Sequence, residues 1–475
     1  MKRFFYIFLS LILIICSCTG QGINPEAPGS EGDQGTTDTP VTEPNEFDGI
    51  VGNAKMEEDI PLDLKSAAVE GNWSYLGGWH QERAQVYHVE NRGYKGSKCL
   101  AISAPNGTVD VGFGQVIKLI PEQPYKISAR IKTDGVSGGA GAHLSLDYLW
   151  APRSRPVVGT TDWTNVTLEI EPPTEEVVLC LKLGGTAADC SGVAYFDNVT
   201  VSFNDDLYIK ESEHIKLVID KSHLSVSESL IEQWLDNLDE AYKSYQELFK
   251  GKIPYEKNRM VIRAAPGIDA WAYAGDPIQW NSDYISSTLL QLQKGDWIFG
   301  ILHEMGHNFA PGSFGATYAW NFNEELFANF RMYYVLDNLN GTIVQTAKIY
   351  NSDGTSTSVE KKYVGKEIMQ LYKSECDNGY DMTIAKNRAV EMGNALCYCL
   401  CRMVEKYGWQ LWIDTFDYLY KVTPEQKPEY AGMTGWDKFE YLMDALSLHN
   451  YEDVRNSFTK AELNVIKEYL QTQKI

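Results

Sequence analysis

Between residues 59 and 205 apolar and polar positions alternate in short runs, at 86–89, 115–119, 125–131, 142–148, 165–170, 177–183 and 193–201, each bounded by turn residues. A period of two sends successive side chains to opposite faces of a strand, so this stretch predicts an all-β sandwich with one face of each strand buried. Beyond Asp205 the period changes. Residues 215–219 and 260–263 read as strands, whereas 227–249 has the spacing of an amphipathic helix. Further helical runs fall at about 384–406, 408–421, 435–446 and 459–471, the last opened by the capping-box pattern Thr459-Lys460-Ala461-Glu462. Residues 206–475 therefore predict a separate α+β domain ending in a helical lobe, and the chain is multidomain.

The first 58 residues follow neither pattern. Lys2 and Arg3 precede an apolar run, 4–15, that is too short for an ordinary membrane span and has the form of an export signal. Ile15-Cys16-Ser17-Cys18 resembles a bacterial lipobox closing the 1–18 signal, which implies cleavage before Cys18 and lipidation of Cys18. The expected location is the bacterial cell envelope, lipid-anchored at the outer membrane, with the leaflet that holds the anchor left open by the sequence. Residues 19–58 are rich in Gly, Pro, Thr, Asp and Glu and too poor in apolar side chains to offset the entropy of ordering. They predict a disordered acidic tether between membrane and fold.

A formal net charge of −22 excludes a nucleic-acid phosphate backbone as partner and leaves the lipid anchor as the expected contact with a membrane. Of nine cysteines, Cys16 and Cys18 belong to the signal. Cys99, Cys180, Cys190, Cys376, Cys397, Cys399 and Cys401 remain, an odd set, with Cys180 and Cys190 a candidate bridge. Cys397, Cys399 and Cys401 alternate within an apolar helical run and read as small buried hydrophobes rather than metal ligands.

The chemistry concentrates at His303-Glu304-Met305-Gly306-His307. Residues four apart share a helix face, so His303 and His307 can hold one zinc ion while Glu304 stands beside it as general base. Asp296 is the expected cap of this helix and Pro311 suits its end. A catalytic zinc takes three protein ligands and keeps a fourth position open. Ala310 and Ser313 stand where a metzincin would place glycine and a third histidine, so the remaining ligand must be a carboxylate from a second helix. Glu324 and Glu325 are the candidates. Glu325 shares a stripe with Asn329 and is preferred as ligand; Glu324 is then an acid that orients a ligand histidine. Tyr273, Tyr333 and Tyr334 are candidate donors to an oxyanion.

Three features resemble the enhancin-like, mucin-degrading metallopeptidases of the M-sixty type: the H-E-x-G-H core followed by Asn308, Glu325 with Asn329 four residues on, and Ala274-Gly275-Asp276-Pro277-Ile278. In the last, Asp276 stands where the family has tyrosine. The resemblance covers residues 206–475 and implies a gluzincin fold, zinc as cofactor, and an endopeptidase acting on glycoproteins such as mucins. Residues 59–205 resemble jelly-roll carbohydrate-binding modules of the family 4/9 type, through Tyr94-Lys95-Gly96-Ser97-Lys98-Cys99-Leu100, Pro124-Tyr125-Lys126-Ile127-Ser128-Ala129, Asp162-Trp163-Thr164-Asn165-Val166 and Ala194-Tyr195-Phe196-Asp197-Asn198-Val199. That likeness implies glycan binding. Trp79, Tyr148 and Trp150 are the candidate aromatic platform, and Asp197 is a candidate ligand of a structural calcium ion. Two other readings compete. One is a surface glycan-binding lipoprotein with a silent peptidase fold; the other is a gluzincin aminopeptidase, suggested by Asn323-Glu324-Glu325-Leu326-Phe327-Ala328.

Overall fold

The structure, a computed structural model, describes residues 47 and 49–472 except 106, 139, 148–151, 186–189, 351–355 and 378–388. The export signal, Cys18, the tether up to residue 46, Tyr148 and Trp150 lie outside the described residues. The first module runs β1 (Val69–Glu70), β2 (Ser74–Trp79), β3 (Gln85–Val89), β4 (Cys99–Ala104), β5 (Asp110–Lys118), β6 (Tyr125–Ser137), β7 (Ala142–Leu146), β8 (Gly159–Ile170), β9 (Glu176–Leu183) and β10 (Ser191–Phe203). Two five-stranded sheets result, one ordered β1-β5-β9-β7 with β2 also on β5, the other β3-β4-β10-β6-β8. Period two sets what they bury. Ile127, Ala129 and Ile131 of β6 meet Leu179, Leu181 and Leu183 of β9 in one core.

Two expectations change here. Val51, Met56 and Ile60 are buried in the sandwich core, and Phe47 packs edge-on against Phe203 at 4.8 Å. The tether expected to reach residue 58 is thus already folded by Phe47. Cys180 and Cys190 are free thiols, not a bridge. On β9 Leu179 and Leu181 point into the core, so Cys180 must point to the other face, while Cys190 lies within the core cluster.

The second module opens with β11 (Leu207–Glu211), β12 (Ile215–Asp220), β13 (Met260–Ala265), β14 (Ala272–Tyr273) and β15 (Ile278–Asn281) in the order β11-β12-β13-β15-β14. β12, β13 and β15 are parallel, and β14 returns antiparallel on the edge. Its helices are α1 (Glu228–Leu248), α2 (Ser282–Leu289), α3 (Phe299–Asn308), α4 (Glu324–Leu339), α5 (Met369–Asp377), α6 (Ala389–Tyr407), α7 (Trp409–Leu419), α8 (Gly435–Asn450) and α9 (Lys460–Thr472). A hairpin of β16 (Thr342–Tyr350) and β17 (Ser356–Val364), which the hydrophobic pattern does not announce, separates α4 from the helical lobe. The whole module shares one apolar cluster, distinct from that of the sandwich.

α1 is the shelf for α3. It buries Ile231, Trp234, Leu235, Leu238, Tyr242 and Tyr245 along one stripe. Trp234 donates from Nε1 to Trp297 O at 3.0 Å, and the Tyr245 hydroxyl donates to Leu302 O at 2.7 Å. These bonds fix α3 in rotation as well as position.

Candidate metal centre

α3 starts at Phe299, later than a cap at Asp296 would place it, because Ile298 turns the chain with φ +64°. Asp296 still organises that start. Its buried Oδ1 accepts from Ile298 N at 3.0 Å and from Val344 N at 3.2 Å, tying α3 to β16. Burial pushes its carboxyl up to about 6. α4 then crosses α3 at Gly306, where an added Cβ would lie 2.8 Å from Ala328 O. The bare backbone at Gly306 is what lets α4 approach closely enough to bring its first turn over the two histidines.

His303 Nε2 lies 3.0 Å from His307 Nε2 and 3.1 Å from Glu325 Oε2, and His307 Nε2 lies 3.5 Å from Glu325 Oε1. Ligand bonds of about 2.0 Å in a tetrahedron put neighbouring donors about 3.3 Å apart, so two imidazoles and one carboxylate stand at the separations zinc requires. Among the described residues this is the one such cluster of His, Cys, Asp and Glu. The Nδ1 atoms are committed elsewhere. His303 Nδ1 lies 2.9 Å from Asn329 Oδ1 and His307 Nδ1 3.3 Å from Glu324 Oε1, which turns both Nε2 atoms toward the shared point.

Glu324 is therefore an orienting acid and Glu325 the ligand candidate. Glu324 is held in turn by Asn321 and by Arg331, whose Nη1 donates at 2.5 Å. Arg331 is wholly buried and also donates to Gly306 O at 3.1 Å and to the Tyr420 hydroxyl at 3.4 Å. Burial works against ionised Glu324, but Arg331 and His307 hold its carboxyl below the usual range. Burial likewise opposes ionised Glu325, and the two histidines hold it far lower. Burial would pull His307 down, yet its bonds to Glu324 and Glu325 carry it up to about 10. Arg331 was not singled out by motif spacing. Its signal was a lone cation in the apolar run Phe330-Arg331-Met332-Tyr333, seven residues after Glu324 on the same helix side.

Glu304 is buried beside this cluster, and burial raises its carboxyl pKa against the pull of His307 and His303. Its carboxylate lies near the backbone of Ala274, next to the edge strand β14. Asn308 fixes that same segment, accepting from Gly275 N at 2.8 Å and donating to Gly275 O at 2.9 Å. Asp276 ion-pairs with Lys257.

Of the three tyrosines, Tyr273 lies near Glu304 and donates its hydroxyl to Asp269 at 2.5 Å. Burial and the Asp269 carboxylate push its own pKa up. Tyr333 and Tyr334 do not reach the site. The Tyr333 hydroxyl points at Met369 Sδ, 4.0 Å away, and both rings pack on Trp409, because their side of α4 faces the core. In the sandwich, Trp79 is exposed and its ring stands 4.1 Å from that of His80. Asp197 Oδ2 accepts from Tyr94 N at 2.7 Å and Ser97 Oγ at 2.6 Å, and its Oδ1 from Asn198 N at 2.6 Å. Both oxygens are engaged by donors, which closes the loop before β4 onto β10. Cys397, Cys399 and Cys401 are buried, with thiol pKa values raised by burial at Cys399 and Cys401.

No family model and no curated protein matches this chain. Among solved structures, it is similar to a putative sugar binding protein from Bacteroides thetaiotaomicron, at 11% identity over 33% of this chain and 100% of that one, with a TM-score of 0.26. A family 4 carbohydrate-binding module aligns at 21% identity over 32% of this chain and 99% of that one, with a TM-score of 0.24. A conserved protein of unknown function from Bacillus anthracis aligns at 12% identity over 81% of this chain and 78% of that one, with a TM-score of 0.37.

Proposed function

We propose that this chain is a zinc-dependent metallopeptidase of the bacterial cell envelope, anchored through Cys18, that cuts glycosylated, mucin-type protein. The observation that carries the reading is the convergence of His303, His307 and Glu325 on one point, with Glu304 beside them. Zinc held by those three side chains would supply Lewis acidity to water and to the scissile carbonyl. The remaining work belongs to the chain. Glu304, with its pKa lifted by burial, takes the proton of the attacking water at its carboxylate and returns it to the leaving nitrogen. β14 is the free edge of its sheet, so an extended peptide can pair with its outer backbone groups and lie across Glu304. Tyr273, on that strand, is the remaining candidate to donate to the developing oxyanion, on exchanging its bond to Asp269 for one to substrate.

The test is cleavage of an O-glycosylated mucin fragment by the wild type and by Glu304→Gln, with zinc content measured in both. The variant should retain zinc and lose activity by roughly 10²–10⁴-fold. Equal activity in the two proteins would end the assignment. Exposed Trp79 favours a second reading, a surface glycan-binding lipoprotein whose peptidase fold is silent. Glycan binding lost in Trp79→Ala, with no cleavage of any glycoprotein by zinc-loaded wild type, would establish it instead.

A further inference from the structure

A groove of about 580 Å³ separates the two modules, and both supply its walls. On the sandwich side stand Arg153 and Arg155, in the segment before β8, and Asn165 and Thr167 on the outward face of β8. Arg263 of β13 and Gln279 of β15 face them from the second module. Two of these arginines are already used. Arg155 bridges the modules through Asp283 at 2.6 Å, and Arg263 donates to Glu169 O at 3.0 Å. Glu169 and Asp220, which also line the groove, lie close to each other, and burial with the Asp220 charge raises the Glu169 pKa.

Arg153 differs. Among the described residues its guanidinium has no hydrogen-bond or ion-pair partner, although the side chain is partly buried. Asp269, whose charge it feels, is engaged by the Tyr273 hydroxyl at 2.5 Å. A partly shielded guanidinium without a protein acceptor is open to an anion, and its planar donor fork matches a carboxylate or sulfate. The position is also apt for substrate. Gln279 in the groove is the cross-strand partner of Tyr273 on β14, so the groove opens beside the strand along which a peptide would lie. In a chain of net charge −22, an acidic ligand needs such a local cation to approach at all.

We propose that the inter-module groove binds an acidic sugar of the substrate glycan, its carboxylate or sulfate gripped by Arg153 and its hydroxyls by Asn165 and Thr167. This rests on the glycoprotein reading for the class of ligand, but sugar binding is measured without any cleavage. Titration calorimetry of the full chain with 3′-sialyllactose, lactose 3′-sulfate and lactose separates the sources of the anion. At least one acidic sugar should bind about ten-fold or more tightly than lactose, the one that does so naming the carboxylate or the sulfate. Arg153→Gln should abolish that preference with the melting temperature unchanged, and Arg153→Lys should restore part of it. Equal binding of all three sugars, binding of none, or an acid preference that survives Arg153→Gln would overturn the proposal. Loss of the preference in Trp79→Ala with retention in Arg153→Gln would overturn it too, by moving the site to the sandwich's own face. Glu304→Gln should leave sugar affinity untouched, so a failed peptidase assay and a failed groove remain separate results.

Discussion

The two modules treat a buried cation in opposite ways. Arg331, in the second module, is wholly buried and has Glu324, Gly306 O and Tyr420 around it. Arg153, at the face of the sandwich, is partly buried and has no partner among the described residues. Both pay for lost hydration, but only Arg331 recovers that cost inside the fold. A saturated cation locks geometry, here the orientation of His307 through Glu324; an unsaturated one is left for something that arrives from outside. Asp296 is intermediate, a buried carboxylate whose partners are two backbone N–H groups rather than a counter-charge.

The sharpest way to break this comparison is Arg331→Met. Taking the guanidinium from Glu324 should cost about 3–5 kcal/mol of stability, and the double variant Arg331→Met with Glu324→Leu should recover much of it in chemical denaturation. If the single variant unfolds no more easily than wild type, Arg331 is not the structural cation described above. Glu324→Gln keeps size and an acceptor but removes the charge that holds His307 and Arg331. Zinc affinity, measured by competition with a chelator, should fall about 10–100-fold while the Glu325 carboxylate remains in place.

Asp296→Asn tests the intermediate case. A carboxyl whose folded pKa, about 6, lies above its unfolded value near 3.8 binds its proton more tightly in the folded state. Its stabilising contribution is present below about pH 4 and is lost as pH rises through 6. The asparagine variant should therefore be more stable than wild type at pH 7.5, by roughly 1–3 kcal/mol, and no more stable at pH 4. A gain of the same size at both pH values would assign the effect to packing. Smallest of all is the stability effect of Arg153→Gln, within about 0.5 kcal/mol in denaturant titration. A larger loss would mean that Arg153 serves the fold, and the contrast with Arg331 would vanish.

Much of this was readable along the chain. α7 and α8 begin within a residue of the runs expected at 408 and 435, because each buries an apolar stripe; the start of the run expected at 384 lies outside the described residues. Glu325 was separable from Glu324 by its stripe with Asn329, and Asn329 does hold His303. What escaped the pattern were features with weak local signals. β16 and β17 form a hairpin with an exposed, charged outer strand, and Phe47, Val51 and Met56 join the sandwich core from within a run of polar residues. Tyr333 and Tyr334 looked available for catalysis only because helical spacing shows which residues share a side, not which side the core covers.

By itself, the amino-acid sequence determined that His303 and His307 share a helix face with Glu304 between them, since helical repeat and residue identity suffice for that. It determined the change of period near residue 205 and hence two separately cored modules. Only tertiary structure decided that α4 approaches α3 at Gly306, that Arg331 saturates Glu324 while Arg153 stays unpartnered, and that a groove opens between the modules. Those outcomes depend on the distance between segments far apart in the chain, and a hydrophobic period carries orientation along one element but no distance to the next.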